Sequence, residues 1–153
     1  MKASKSAYVL IHTFEGCRLH AYKCPAGVWT IGWGHTAGVY EGMTITREQA
    51  NELLKKDVAI FEDHLNYALG LDDAGRMPNG FPISQHQFDA LLSFTFNIGT
   101  GNLARSTLLR KVKANPKDPS IRGEFSRWVY GGGKRLPGLV RRRKMEADLY
   151  FSG

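Results

Sequence analysis

Cysteine is scarce: the 153 residues hold two, Cys17 and Cys24. Two cysteines exclude the disulfide framework that staples small secreted domains, and neither a CxxC pair nor a Cys/His spacing suited to a metal accompanies them. Two free thiols are expected; a bridge between them needs Cα atoms within about 7 Å and an oxidising compartment. Long apolar runs are also missing. After Lys2 and Lys5 the apolar stretch extends only from Ala7 to Ile11, with Glu15 close behind. That is too short for the core of a signal peptide or for the roughly 20 residues of a membrane span, so synthesis in a cytoplasm without a signal peptide is expected, with exit by another route. Acidic residues are in deficit, 14 against 21 Lys and Arg, for a formal charge of +7. Such an excess draws polyanions, whether nucleic acid, anionic membrane or acidic wall polymer, and does not choose among them. The densest basic cluster, Arg141, Arg142, Arg143 and Lys144, lies in a helical context and reads as a solvated face with one arginine turned inward.

No internal repeat is present, and neither the loop-like Gly70 to Pro82 stretch nor the Gly131-Gly132-Gly133 turn is long enough to divide domains. What remains is an ordinary globular composition, 42% hydrophobic and 23% charged. A single domain over residues 1–153 is expected, and a chain of this size removes roughly 70% of its unfolded surface from water without help from metal or disulfide.

Ala7, Leu10, Ile11 and Phe14 recur at helical spacing, which predicts a short amphipathic helix stopped at Gly16, with Glu15 in its last turn. From Arg18 to Thr36 the pattern becomes short segments rich in Tyr, Val, Trp, Thr and Ile, broken at Pro25-Ala26-Gly27 and at Gly32, Gly34 and Gly38. This predicts a small antiparallel sheet within about residues 18–45. Thr46 with Gln49, and Ser84 with Gln87, are capping boxes. The first opens a long helix to about Tyr67; the second opens one whose Phe88, Leu91, Leu92, Phe94, Phe96 and Ile98 are apolar on most sides, as in a central helix. Shorter helices follow Ser106 (Leu108, Leu109, Val112) and Asp118-Pro119 (Ile121, Phe125, Trp128), and a last begins near Pro137. The fold class is α+β: a mainly helical body with a small N-terminal antiparallel sheet and a cleft between them.

A carboxylate where a helix hands over to a hairpin stands at such a cleft. Glu15 occupies that place, and partial desolvation would help it keep a proton for a leaving group. If the turn at Pro25-Ala26-Gly27 is symmetrical, Tyr22 faces Thr30, and alternation puts Cys24 and Thr30 on one face of the hairpin. Taken singly, each residue has a plainer account: a surface glutamate, a small buried thiol, an ordinary strand threonine.

The strings Phe14-Glu15-Gly16, Leu19-His20-Ala21-Tyr22 and Trp29-Thr30-Ile31-Gly32-Trp33-Gly34-His35-Thr36 resemble the active-site region of the phage-type lysozymes, the endolysin glycoside hydrolase family. That family spaces a Glu, eight residues, an Asp or Cys, five residues and a Thr, matched here by Glu15, Cys24 and Thr30. Ser93 to Gly101, Ser106 to Arg110 and Leu136 to Arg143 are similar to further family segments in the same order, so the resemblance spans nearly the whole chain. It implies a lysozyme-like fold and hydrolysis of the β-1,4 bond between N-acetylmuramic acid and N-acetylglucosamine in peptidoglycan. No cofactor and no metal are implied. Glu15 would protonate the leaving oxygen, and Thr30 would hold water on the opposite face of the sugar.

Cys24 stands where many members carry aspartate. A neutral thiol supplies no fixed charge, and its pKa of about 8.5 rises in an apolar site. Three roles stay open for it: weak orientation of water, a thiolate base or nucleophile, or a tolerated replacement. The rule relating carboxylate separation to stereochemistry needs two carboxylates, so inversion is implied by the resemblance alone. Arg142 is a candidate partner for Glu15, favouring its ionised form against the effect of burial. Phe96, Asn97 and Thr107 match groove-lining segments, with core packing and capping as their plainer accounts. His35 reads as a structural hydrogen-bonding residue. The resemblance further implies a monomer acting on the bacterial wall after release through a pore made by another protein, with no nucleic acid as partner. A lytic transglycosylase and a non-catalytic basic wall-binding module on the same fold are the competing readings.

Overall fold

In the computed structural model, which describes all 153 residues, helices and hairpins follow in the order α1 (Lys5–Phe14), β1 (Arg18–Lys23), β2 (Trp29–Gly32), α2 (Arg47–Leu69), α3 (Gln85–Ile98), α4 (Thr100–Arg105), α5 (Thr107–Ala114), α6 (Ile121–Ser126), β3 (Tyr130–Gly131), β4 (Lys134–Arg135) and α7 (Pro137–Tyr150). The class is α+β, as the pattern of periods predicts. Both capping boxes form: the Thr46 and Ser84 hydroxyls accept from the N–H of Gln49 and Gln87, and each glutamine side chain returns a bond to the cap. α2 ends where Gly70 turns left-handed, at φ 65°. No helix is long and apolar enough to cross a membrane.

α3 is the centre of the body. Every residue from Phe88 to Thr95 on it is buried, and α1, α2, α4 and α7 all pack against it. Phe94 meets Phe125 edge-on at 5.2 Å and Trp128 at 5.9 Å between ring centroids, and the buried Tyr150 hydroxyl donates to the Pro116 carbonyl at 2.7 Å.

The first hairpin has the assumed register, with Tyr22 opposite Thr30 and Lys23 opposite Trp29. Its turn explains why. The Gly27 N–H donates to the Cys24 carbonyl at 2.8 Å, Pro25 supplies a preset φ at the first corner, and Gly27 sits at φ 79°, the combination that closes a three-residue hairpin loop. A third segment pairs on β1, through Ala21 N–H to the Met43 carbonyl at 2.9 Å and Ile45 N–H to the Leu19 carbonyl at 3.0 Å.

Several features depart from the sequence reading. Glu15 lies just beyond α1, and its own extended backbone (φ −96°, ψ 130°) ends the helix, so Gly16 is not the stop. α4 was not anticipated, because Thr, Gly and Asn open it and all form helix poorly. Trp128 falls past the end of α6. Gly131 to Gly133 form part of a second hairpin, β3–β4, whose Gly132 and Gly133 have φ of 58° and 79°, as a two-residue primed turn demands.

Central burial and helix caps differ in weight. Phe94→Ala should lower unfolding free energy by about 3–5 kcal/mol, and Thr46→Ala by about 1 kcal/mol. Urea titration checks both, through a shifted midpoint at unchanged slope.

Candidate active site

Glu15 is placed by the burial of Ala7, Leu10 and Ile11 on α1 and by the swing of the chain into β1. Its carboxylate is 25% exposed, and its Oε1 accepts from Arg142 Nη1 at 2.8 Å. The other oxygen, Oε2, lies 3.9 Å from where a Cβ on Gly34 would stand, and Gly34 has φ 89°. The strand β2 thus delivers a bend of bare backbone beside the carboxyl. The groove at this point has a volume of about 490 Å³ and is lined by Glu15, Phe14, Asn97, Leu139, Arg141 and Arg142 among others. A second cavity of about 380 Å³ shares Asn97 and Leu139 with it and runs on to Trp128 and Tyr130 at the second hairpin.

Arg142 is 3% exposed and reaches Glu15 from within the protein. Its Nη2 donates to the Ser93 carbonyl at 3.0 Å and its Nε to Glu146 Oε2 at 3.2 Å, while the guanidinium lies 5.7 Å from the centre of the Phe14 ring. Arg143 is buried as well. It donates to the Trp128 carbonyl at 2.9 Å, bonds Glu146 and the Asn97 side-chain oxygen, and covers the Phe94 ring at 4.9 Å. The basic cluster therefore turns two arginines inward, not one, while Arg141 and Lys144 remain at the surface. Burial drives this correction: Arg142, Arg143, Glu146, Ala147 and Tyr150 form one inward stripe of α7.

Glu146 was missed by the sequence reading. It is wholly buried, and it takes both arginines and the Ser93 hydroxyl, the last at 2.6 Å. Burial pushes its carboxyl above the usual range against the pull of the two guanidiniums, and burial likewise lowers Arg143. The signal was available: a glutamate three and four residues after two arginines, flanked by apolar positions on the same helix face.

Cys24 and Thr30 share one face of the first hairpin, as the register requires. Thr30 is buried and its hydroxyl donates to the Val28 carbonyl at 3.0 Å. Cys24 is half-buried, and its thiol is held below the ordinary value, chiefly by a backbone hydrogen bond at Val28, with the backbone at Ala26 adding to it against partial burial. The thiol thus shifts opposite to the rise that an apolar site would cause. Both cysteines are free. Neither Cys24 nor Thr30 lines the Glu15 groove; they stand on the hairpin that feeds Gly34 toward it.

The remaining candidates separate. Asn97 lines both cavities, its oxygen engaged by Arg143. Phe96 packs on Phe61 at 5.1 Å between centroids and lines neither cavity. Thr107 also lines neither, and its hydroxyl accepts from Arg110 at 2.9 Å. His35 is structural: Nδ1 faces Asp57 at 2.8 Å and Nε2 the Ala37 carbonyl at 2.8 Å, tying the loop after β2 to α2.

The chain is similar to known proteins over nearly its whole length. The family model described as phage lysozyme matches residues 12–146. The endolysin of Acyrthosiphon pisum secondary endosymbiont phage 1 is 39% identical, with 99% of each chain covered. Among solved structures, the muramidase domain of SpmX from Asticaccaulis excentricus is similar at TM-score 0.84 and 33% identity, over 99% of both chains. A mutant of P22 lysozyme is similar at TM-score 0.79 and 34% identity, also over 99% of both. On these matches, the chain belongs to the phage lysozyme family.

Proposed function

We propose that the chain is a peptidoglycan hydrolase that cleaves the β-1,4 bond between N-acetylmuramic acid and N-acetylglucosamine, with Glu15 as general acid. The observation that carries the reading is the state of Glu15. One carboxyl oxygen is fixed by a buried arginine, and the other faces a groove beside bare glycine backbone. A proton donor needs that division, with one oxygen oriented and one within reach of the leaving oxygen.

Thr30 and Cys24 are assigned to the water side of the sugar, where their shared hairpin face supplies a hydroxyl and a polarised thiol. Cys24 orients water and is not a nucleophile, and the attack inverts the anomeric centre. The protein acts as a monomer on the bacterial wall once it is released through a pore made by another protein. Asn97 is the groove residue assigned to the saccharide. Thr107 and Phe96 are assigned no contact with it, because Thr107 is engaged by Arg110 and Phe96 packs on Phe61.

Glu15→Gln should lower hydrolysis of purified peptidoglycan by about 10²-fold or more while circular dichroism and thermal melting stay near wild type; full activity in this variant would remove the assignment. Cys24→Ser should keep most of the activity, and its loss would restore the thiolate nucleophile. Mass spectrometry should find hydrolysed reducing ends, whereas anhydro-muramyl ends would mark a transglycosylase. The absence of released sugar at any pH would leave wall binding alone. Iodoacetamide should alkylate Cys24 with a midpoint below the roughly 8.5 of an ordinary thiol, read by mass spectrometry across a pH series.

A further inference from the structure

Arg142 serves two carboxylates at once. Nη1 holds Glu15 at 2.8 Å and Nε holds Glu146 at 3.2 Å. Glu146 is sealed from water, one turn further along α7, and also takes Arg143 and the Ser93 hydroxyl. No buried side-chain nitrogen or oxygen is left without a partner. The groups facing this centre come from every element around it. α3 gives Ser93 and Asn97, the end of α1 gives Glu15, the link before β3 gives the Trp128 carbonyl, and α7 gives Arg142 and Arg143, with Arg141 on the groove rim. The four ionisable groups form one cluster of two acids and two bases.

We propose that Glu146 is a positioning residue for the reaction: its buried carboxylate offsets one of the two positive charges of the inward arginines, so that Glu15 is oriented by a guanidinium without facing both charges. This rests on the reading of Glu15 as proton donor. A carboxyl beside net positive charge gives up its proton more readily, and a general acid that has lost its proton cannot serve the leaving oxygen. Arg142 alone would orient Glu15 at the cost of that proton. Glu146 lessens the conflict, because it returns a negative charge to the same guanidinium from the side that the substrate never reaches. Arg143 belongs to the balance, since its guanidinium couples electrostatically to both Glu146 and Glu15.

The signs of the charge changes make the test specific. Glu146→Gln leaves the cluster positive, so the alkaline limb of kcat/KM on soluble peptidoglycan fragments should move to lower pH by about one unit. Arg143→Gln removes a positive charge and should move the same limb to higher pH. The double variant Arg143→Gln with Glu146→Gln restores the net charge that faces Glu15 in wild type, and its limb should return toward wild type even if its rate is lower. A merely structural role would lower the rate of all three without opposite shifts. If Glu146→Gln fails to fold, the upward shift of Arg143→Gln and its reversal in the double variant carry the test. Limbs that stay in place, or single variants that shift the same way, would overturn the proposal. Glu15→Gln, measured alongside, separates the two readings: an inactive Glu15→Gln with unmoved limbs removes only the role of Glu146, whereas an active one removes the proton donor itself.

Discussion

Two guanidiniums buried at the middle of the last helix constrain the rest of this molecule. Taking a charge out of water costs several kcal/mol per ion unless geometry and hydrogen bonds compensate. The compensation here is distributed over separate elements: the Ser93 carbonyl and the Asn97 side chain on α3, the Trp128 carbonyl before β3, Glu15 at the end of α1, and Glu146 on α7 itself. Glu146, wholly buried, is the partner least easily removed, since breaking one side of a buried ion pair typically costs roughly 3–5 kcal/mol, whereas Glu15 is partly exposed at the groove. The mutual placement of α1, α3 and α7 is therefore fixed by the same contacts that orient Glu15. Fold and site share one set of bonds.

That sharing explains what the sequence makes legible. Elements with a local cause read directly. The capping boxes at Thr46 and Ser84 start their helices, Pro137 opens the last one, and Pro25 with Gly27 sets the first hairpin's register. Features whose cause is tertiary did not read. α4 forms against poor local propensity because it packs on α2, α3 and α5, and context of that kind routinely overrides propensity. The second arginine of the basic run turns inward for the same reason: a charge run shows its helical face only once the partner acids are placed. The ion pair of Glu15 with Arg142, 127 residues apart in sequence, was reachable through family resemblance and not through any local pattern. Glu146 carried a local signal, its spacing from the two arginines, but a glutamate on a charged helix is ordinarily a solvated one.

The hairpin poses a different problem, because the polar groups on its shared face are a hydroxyl and a thiol and not a second carboxylate. Thr30 is buried and spends its hydroxyl hydrogen on the Val28 carbonyl, which leaves the oxygen's lone pairs as acceptors. Cys24 then stands beside a tight turn whose backbone bonds favour its thiolate. A thiol at this place can approach the polarity of a carboxylate only as far as those bonds lower it, which is why turn geometry matters to the chemistry as well as to the register. The sequence identifies the sulfur; the turn decides its character.

Surface charge and site charge are separate matters. The inner cluster contributes two positive and two negative groups, so it adds nothing to the formal +7, which resides on the outside of the protein. Exposed charges more than about 8 Å apart are screened at physiological salt, whereas buried pairs are screened far less. A cationic exterior can thus attract polyanions by forces that weaken with salt, while the pairs that Arg142 and Arg143 make with Glu146 lie where salt scarcely reaches. Had the two arginines lacked Glu146, both positive charges would stand unscreened beside Glu15. Glu146 is what keeps a strongly basic protein from holding two uncompensated guanidiniums at its centre.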